Sequence, residues 1–257
     1  MIDFLWFGLK QAWACIFGAL LLAAILVTTF WYPDVSLARY DFLFLYAVAI
    51  QIGLVALRLE SLRECGVVIL FHVLATAMEV FKTADSIGSW SCPGEAVFRI
   101  GNVPLFAGFM YSAVGSYIAR IWRQFDMRFE RFPHVGIASA LAVLSYANFF
   151  THHYLWDIRW GLVTAIFIAY RRTRVIFRPY HRELWMPLLL GFVLVAFFIW
   201  IAENISTFAR IWIYPNQQQG WDMVGLSKLT AWFLLMQLSF VLIYMLRQFE
   251  KSSADRN

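Results

Sequence analysis

Charge is what this chain has least of. Asp, Glu, Lys and Arg supply only 14% of its residues, against roughly 25% in a soluble domain, so a water-exposed globular protein is excluded. Cysteine is scarce too, with three residues. Cys15 and Cys65 fall in or beside apolar runs and Cys92 in a loop on the opposite side from Cys65, so no disulfide is expected. GxSxG, P-loop, GxGxxG and CxxC patterns are all missing, which disfavours serine-hydrolase and nucleotide chemistry. The opening MIDFLWFGLKQAW has neither a basic stretch before its apolar run nor a small-residue cleavage site, and is expected to remain uncleaved.

Apolar residues fill the space left by charge. They make up 61% of the chain, aromatics 19%, and mean hydropathy is +0.65. Eight apolar runs stand out, at about 11–30, 41–57, 66–81, 103–122, 135–152, 156–170, 184–200 and 226–246. Most suit a bilayer span of about 20 residues. The expected fold is an all-α polytopic membrane helical bundle of eight transmembrane helices, or seven if the weak run 156–170 does not cross.

With eight spans, fifteen of the 21 Lys and Arg residues fall on one side. Arg39, Lys82, Arg99, Arg159, Arg210 and Lys228 fall on the other, which puts both termini in the cytoplasm of a multi-pass inner-membrane protein. The net charge of +5 then reports orientation and contact with anionic membrane lipids, not nucleic-acid binding. Residues 1–257 read as a single membrane domain. A faint echo divides it at about 1–125 and 130–250, because Glu79 and Glu203 each fall on the third span of a half and each precede a Trp and a Pro.

Charge inside an apolar span needs a reason, since Asp, Lys or Arg at a helix centre costs roughly 2.5–3.5 kcal/mol on insertion scales. His72 and Glu79 lie two turns apart on one helix face, and Lys82 follows three residues later, placed either to pair with Glu79 or to snorkel to water. Trp90 lies in the polar loop beyond. Span five ends NFFTHHYLWDIRW, which sets Asn148 and His152 on one face while His152 and His153 diverge by about 100°. Span seven carries Glu203 and Asn204, and YPNQQQGW after it adds Asn216. All of these gather at the external ends of spans three, five and seven. The cytoplasmic Arg-rich loops are explained by topology alone.

Two functions fit this cluster. One is an enzyme acting on a lipid or isoprenoid that enters from the bilayer. Glu79 or Glu203 would serve as an acid kept neutral by a dry setting, and His152 or Asp157 would position water or return the proton, with aromatic faces stabilising a carbocation. His72, Lys82, Trp90, Asn148, Asn204 and Asn216 would line the hydrophobic substrate's site. The other is a transporter or small-molecule-binding protein using the same groups. His152 and His153 with the two glutamates would suit zinc or iron, although the spacing is neither HxxxH nor HExxH.

MEVFKTADSIGSWS, VPLFAGFMYSAVGSYIAR, NFFTHHYLWDIRW, FFIWIAENISTF, YPNQQQGW and LSKLTAWFLLM together resemble a YoaT-like family of bacterial integral-membrane proteins of unknown function. This resemblance implies the architecture and no activity. A local pattern, His72, Glu79, Gly88, Val103-Pro104-Leu105 and Met110-Tyr111, is similar to the core of carotenoid-biosynthesis membrane proteins of the lycopene-hydratase type, which implies an isoprenoid substrate. Lys82 after the acid departs from that pattern.

Overall fold

The computed structural model describes residues 2–254. Each apolar run carries a helix. The first is broken at Cys15 into α1 (Ile2–Ala14) and α2 (Ile16–Phe30), and then come α3 (Arg39–Ala56), α4 (Leu62–Lys82), α5 (Phe106–Gln124), α6 (Val135–Thr151), α7 (Arg159–Tyr170), α8 (Leu188–Phe208) and α9 (Lys228–Ala254). Four of these, α3, α4, α8 and α9, are long and apolar enough to cross a membrane, or five if α1 and α2 count as one broken span. Helix α7 has 12 residues, about 18 Å at 1.5 Å per residue, short of a hydrocarbon core of about 30 Å.

The expectation of an all-α chain is corrected in the loops. Arg99–Ile100 (β1) and Val103–Pro104 (β2) form a hairpin, and Arg128–Glu130 (β3), Arg174–Phe177 (β4) and Leu184–Pro187 (β5) form an antiparallel sheet in the order β3-β4-β5. These segments leave helix geometry, so their backbone N–H and C=O groups pair with one another.

The chain divides into two compact units, each made from separate stretches of sequence. Among the described residues, one comprises 2–14, 117–199 and 227–254, and the other 15–116 and 200–226. In the first, Phe129, Phe132 and Tyr244 stack with Trp122 and Phe240. Gln237 is fully buried there, donating from Nε2 to Ala138 O at 3.1 Å and Tyr170 Oη at 3.3 Å.

The second unit has an apolar core of Phe17, Leu21, Ile25, Leu43, Ala47 and Phe106. Its α4 begins at a capping box, with Glu64 N donating to Ser61 Oγ at 3.2 Å and Ser61 N to Glu64 Oε2 at 2.8 Å, so two backbone donors at the helix start are satisfied. Glycines bring α4 and α5 close. A Cβ on Gly115 would lie 2.8 Å from the Phe71 ring, and one on Gly108 would lie 2.5 Å from His72 Nδ1.

Candidate functional site

At the carboxyl end of α4, Glu79 and Lys82 are both buried, 5% and 4% exposed. Lys82 therefore does not snorkel to water. Past the helix, Gly88 adopts φ +59°, a left-handed turn that suits glycine, and Ser89 N bonds Lys82 O at 2.9 Å. The turn carries Trp90 back over the helix end, where its Nε1 donates to Glu79 Oε2 at 2.8 Å. From α5, the Tyr111 hydroxyl donates to Glu79 Oε1 at 2.7 Å.

Glu203 on α8 is 3% exposed and accepts from the Tyr214 hydroxyl at 2.5 Å. A 3-10 turn at Pro215–Gln217 holds Tyr214, whose N bonds Gln217 Oε1 at 3.1 Å. The two loops are tied by a backbone bridge between Ser91 and Ile213, which sets the Trp90 and Tyr214 rings edge to face with centroids 6.1 Å apart. Burial, then the Glu203 carboxylate and next Glu79, push the Tyr214 phenol well above its ordinary range, so it stays a proton donor. Burial and the Glu79 charge push the Cys92 thiol up to about 12, which leaves it unsuited as a nucleophile. Glu79, Glu203, Trp90, Tyr111 and Tyr214 thus share one enclosed polar network, and Lys82 is buried about one helical turn beyond Glu79.

The remaining expected residues are placed elsewhere. Asn204 spends its amide on backbone, donating to Trp200 O at 2.8 Å and accepting from Val224 N at 2.9 Å. Asn216 is exposed beside Asp222, 3.4 Å away. His72 lies two turns before Glu79 on α4 with its ring against Phe109, centroids 4.5 Å apart.

Asn148, His152, His153 and Asp157 belong to the other unit, at the connection from α6 to α7. Asn148 donates to Asp157 Oδ1 at 3.0 Å and accepts from Ile158 N at 3.2 Å, while Asp157 also accepts from Arg159 N at 2.9 Å and faces the Arg159 guanidinium at 3.1 Å. His152 Nδ1 lies 2.7 Å from Asn148 O, and its ring stacks on His153 at 4.1 Å. This arrangement ties down the start of α7. Among the described residues no three His, Cys, Asp or Glu side chains are placed to hold a metal ion, so a zinc or iron site built on His152 and His153 lacks the further ligands it needs.

Burial opposes ionisation of Asp157, but the Asn148 amide, Arg159 N–H and Arg159 charge outweigh it and hold the carboxyl below its usual value. A lowered carboxyl stabilises the fold above its unfolded value of about 3.9 and loses that contribution as pH falls through the folded value. The side chain is 40% exposed, so Asp157→Asn should cost under about 1 kcal/mol. Thermal melts of both proteins in detergent should differ at pH 6 and converge towards pH 3; a gap that widens in acid would contradict this.

A second buried network was not legible in the sequence. Glu60, 3% exposed, accepts from Gln51 Nε2 at 2.6 Å and Ser116 Oγ at 2.5 Å, and lies just ahead of α4 with Glu64 one turn into it. Separately, in the other unit, Arg120 is fully buried and donates to Trp13 O at 3.3 Å. The Lys and Arg asymmetry sets Arg120 among the cytoplasmic-side charges explained by topology, and nothing in the sequence singled out Glu60. Burial corrects that reading.

Four or five apolar helices long enough to span a membrane, with ionised groups enclosed among them, define a helical membrane protein. The chain belongs to the family described as protein of unknown function, DUF817, whose model matches residues 3–240. It is 40% identical over 250 residues to the uncharacterized protein YoaT of Bacillus subtilis (strain 168), covering 97% of this chain and 94% of that protein. The YoaT-like resemblance in its motifs is thereby borne out. No solved structure matches.

Proposed function

We propose that the chain is an inner-membrane transporter whose solute is a small organic cation, bound where Glu79, Glu203, Trp90, Tyr111 and Tyr214 converge. The observation that carries this reading is the composition of that network: two buried carboxylates ringed by three aromatic side chains, with one buried ammonium, Lys82. Aromatic faces attract ammonium groups by about 0.5–2 kcal/mol each, and enclosed carboxylates supply the counter-charge. An incoming amine would take the place of the Lys82 ammonium as their partner.

An eight-span arrangement with cytoplasmic termini, which the Lys and Arg asymmetry supports, would put this site near the external face. Acid–base chemistry on a lipid or isoprenoid requires a protonated carboxyl. Both Glu79 oxygens are taken up by hydrogen bonds from Trp90 and Tyr111, which leaves neither turned to a substrate as a proton donor, so the enzyme reading has weaker support.

Purified protein titrated with methylammonium or choline chloride, against sodium chloride at equal ionic strength, should rise in Tm saturably, as a ligand of the native state must. Glu203→Gln should remove that rise. No stabilisation of the wild type by either amine, or equal stabilisation of the variant, would overturn the proposal.

A further inference from the structure

Helix α4 joins the two buried carboxylate networks. Glu64 lies near its start, and Glu79 is fifteen residues on, about 22 Å along the axis. Between them, residues at four-residue spacing turn one polar stripe towards α5. The Ser112 hydroxyl donates to Val68 O at 2.8 Å and Gly108 O at 3.0 Å. One turn further along α4, His72 Nδ1 and Thr76 Oγ1 are buried and have no hydrogen-bond partner among the described residues. Thr76 is only 8% exposed. Both atoms converge on Gly108, where an added Cβ would lie 2.5 Å from the first and 2.7 Å from the second.

Leaving a buried polar atom unpaired is costly, and two sit one turn apart at mid-helix. Packing alone would be served as well by Phe and Val. Imidazole is the side chain that both accepts and releases a proton near neutral pH, and the unengaged Thr76 hydroxyl beside it can serve as donor or acceptor. His72 is about 12 Å from Glu64 and about 10 Å from Glu79 along the helix axis. Towards one end the titratable groups are Glu79, Lys82 and Tyr111; towards the other they are Glu64 and Glu60, the latter reached from α3 by the uncharged Gln51. Ser116 continues the α5 stripe to Glu60.

We propose that this seam between α4 and α5 is a proton path joining the two carboxylate networks, with His72 as the relay at its middle. A proton taken up at the Glu60 and Glu64 end, or at the Glu79 end, passes through His72, which gains one on one side and gives one up on the other, so no other reactant is consumed. The proposal deepens the transport reading and rests on it, since proton flow would drive solute movement against its gradient.

The test is proton flux into liposomes containing the full chain and internal pyranine, driven by a valinomycin-clamped potassium potential. Wild type should acidify the lumen faster than protein-free liposomes, and His72→Phe should slow this at least tenfold. Thr76→Val, a near-isosteric change at the neighbouring orphaned atom, should slow it several-fold, and its Tm and gel-filtration profile would show that folding is intact. Wild-type flux equal to empty liposomes, or unchanged flux in a folded His72→Phe or Thr76→Val protein, would overturn the relay. Methylammonium binding without flux would overturn the relay and leave the transport reading standing. Flux through His72 in a protein that binds neither amine would overturn the cation site instead.

Discussion

Lys82→Met should lower the stability of the detergent-purified protein by about 3–5 kcal/mol, the range for breaking a buried ion pair by removing one partner. For a chain of this size that corresponds to a fall in Tm of roughly 10 °C. Lys82 is 4% exposed and ends a membrane helix, where an enclosed ammonium persists only with a carboxylate to compensate it. Glu79 lies three residues back on the same helix face, and the charges of Glu79 and Glu203 both act on Tyr214. Removing the cation leaves the enclosed Glu79 and Glu203 carboxylates without that positive charge. Glu79→Gln introduced into Lys82→Met should recover more than half of the lost stability, because it deletes one uncompensated charge. The measurement is a double-mutant cycle read by thermal melting. Strict additivity, or a Lys82→Met protein as stable as the wild type, would mean that Lys82 is not held by these acids.

Asp41→Ala should cost about 2–4 kcal/mol, from charge-assisted hydrogen bonds worth roughly 1.5–3 kcal/mol each. Asp41 is 2% exposed at the first turn of α3, and its carboxylate accepts from Val97 N at 2.8 Å and Phe98 N at 2.9 Å. The bonds fasten the strand-turn segment 97–104 that leads into α5, and hence the helix carrying Tyr111. Asp41→Asn keeps one acceptor oxygen and should lose about half as much. Hydrogen exchange by mass spectrometry should show faster exchange in the peptide containing Val97 and Phe98 for Asp41→Ala, with the α9 peptides unchanged. Unaltered exchange at 97–98 would mean that β1 and β2 are held by other contacts.

The sequence marked Glu79 and Glu203 because ionised groups in apolar helices are costly enough to need a cause. Trp90 was legible for a related reason, as an aromatic in a polar loop directly after the acid. Tyr111 and Tyr214 were not. A phenol at a helix end suits an interfacial belt as well as a buried hydrogen bond, and only the returning loops and α5 decide which it makes. Arg120 was hidden because a positive charge at the end of an apolar run is already explained by topology, and Glu60, just outside one, carried no pattern that singled it out. His152 and Asp157 attracted attention by residue type, and the structure spends them on the connection into α7.

Hydrophobic content and the spacing of the apolar runs were enough, by themselves, to determine a helical membrane protein and to place a helix on each run, with most ends within a few residues but the start of the first and the ends of α8 and α9 missed by eight or nine, because lipid demands that each segment satisfy its own backbone. The break at Cys15, the short strands, the burial of Lys82 and the assembly of each compact unit from distant stretches of chain were decided only in three dimensions. Those features depend on which side chains meet across elements far apart in sequence, and neither periodicity nor composition records such meetings.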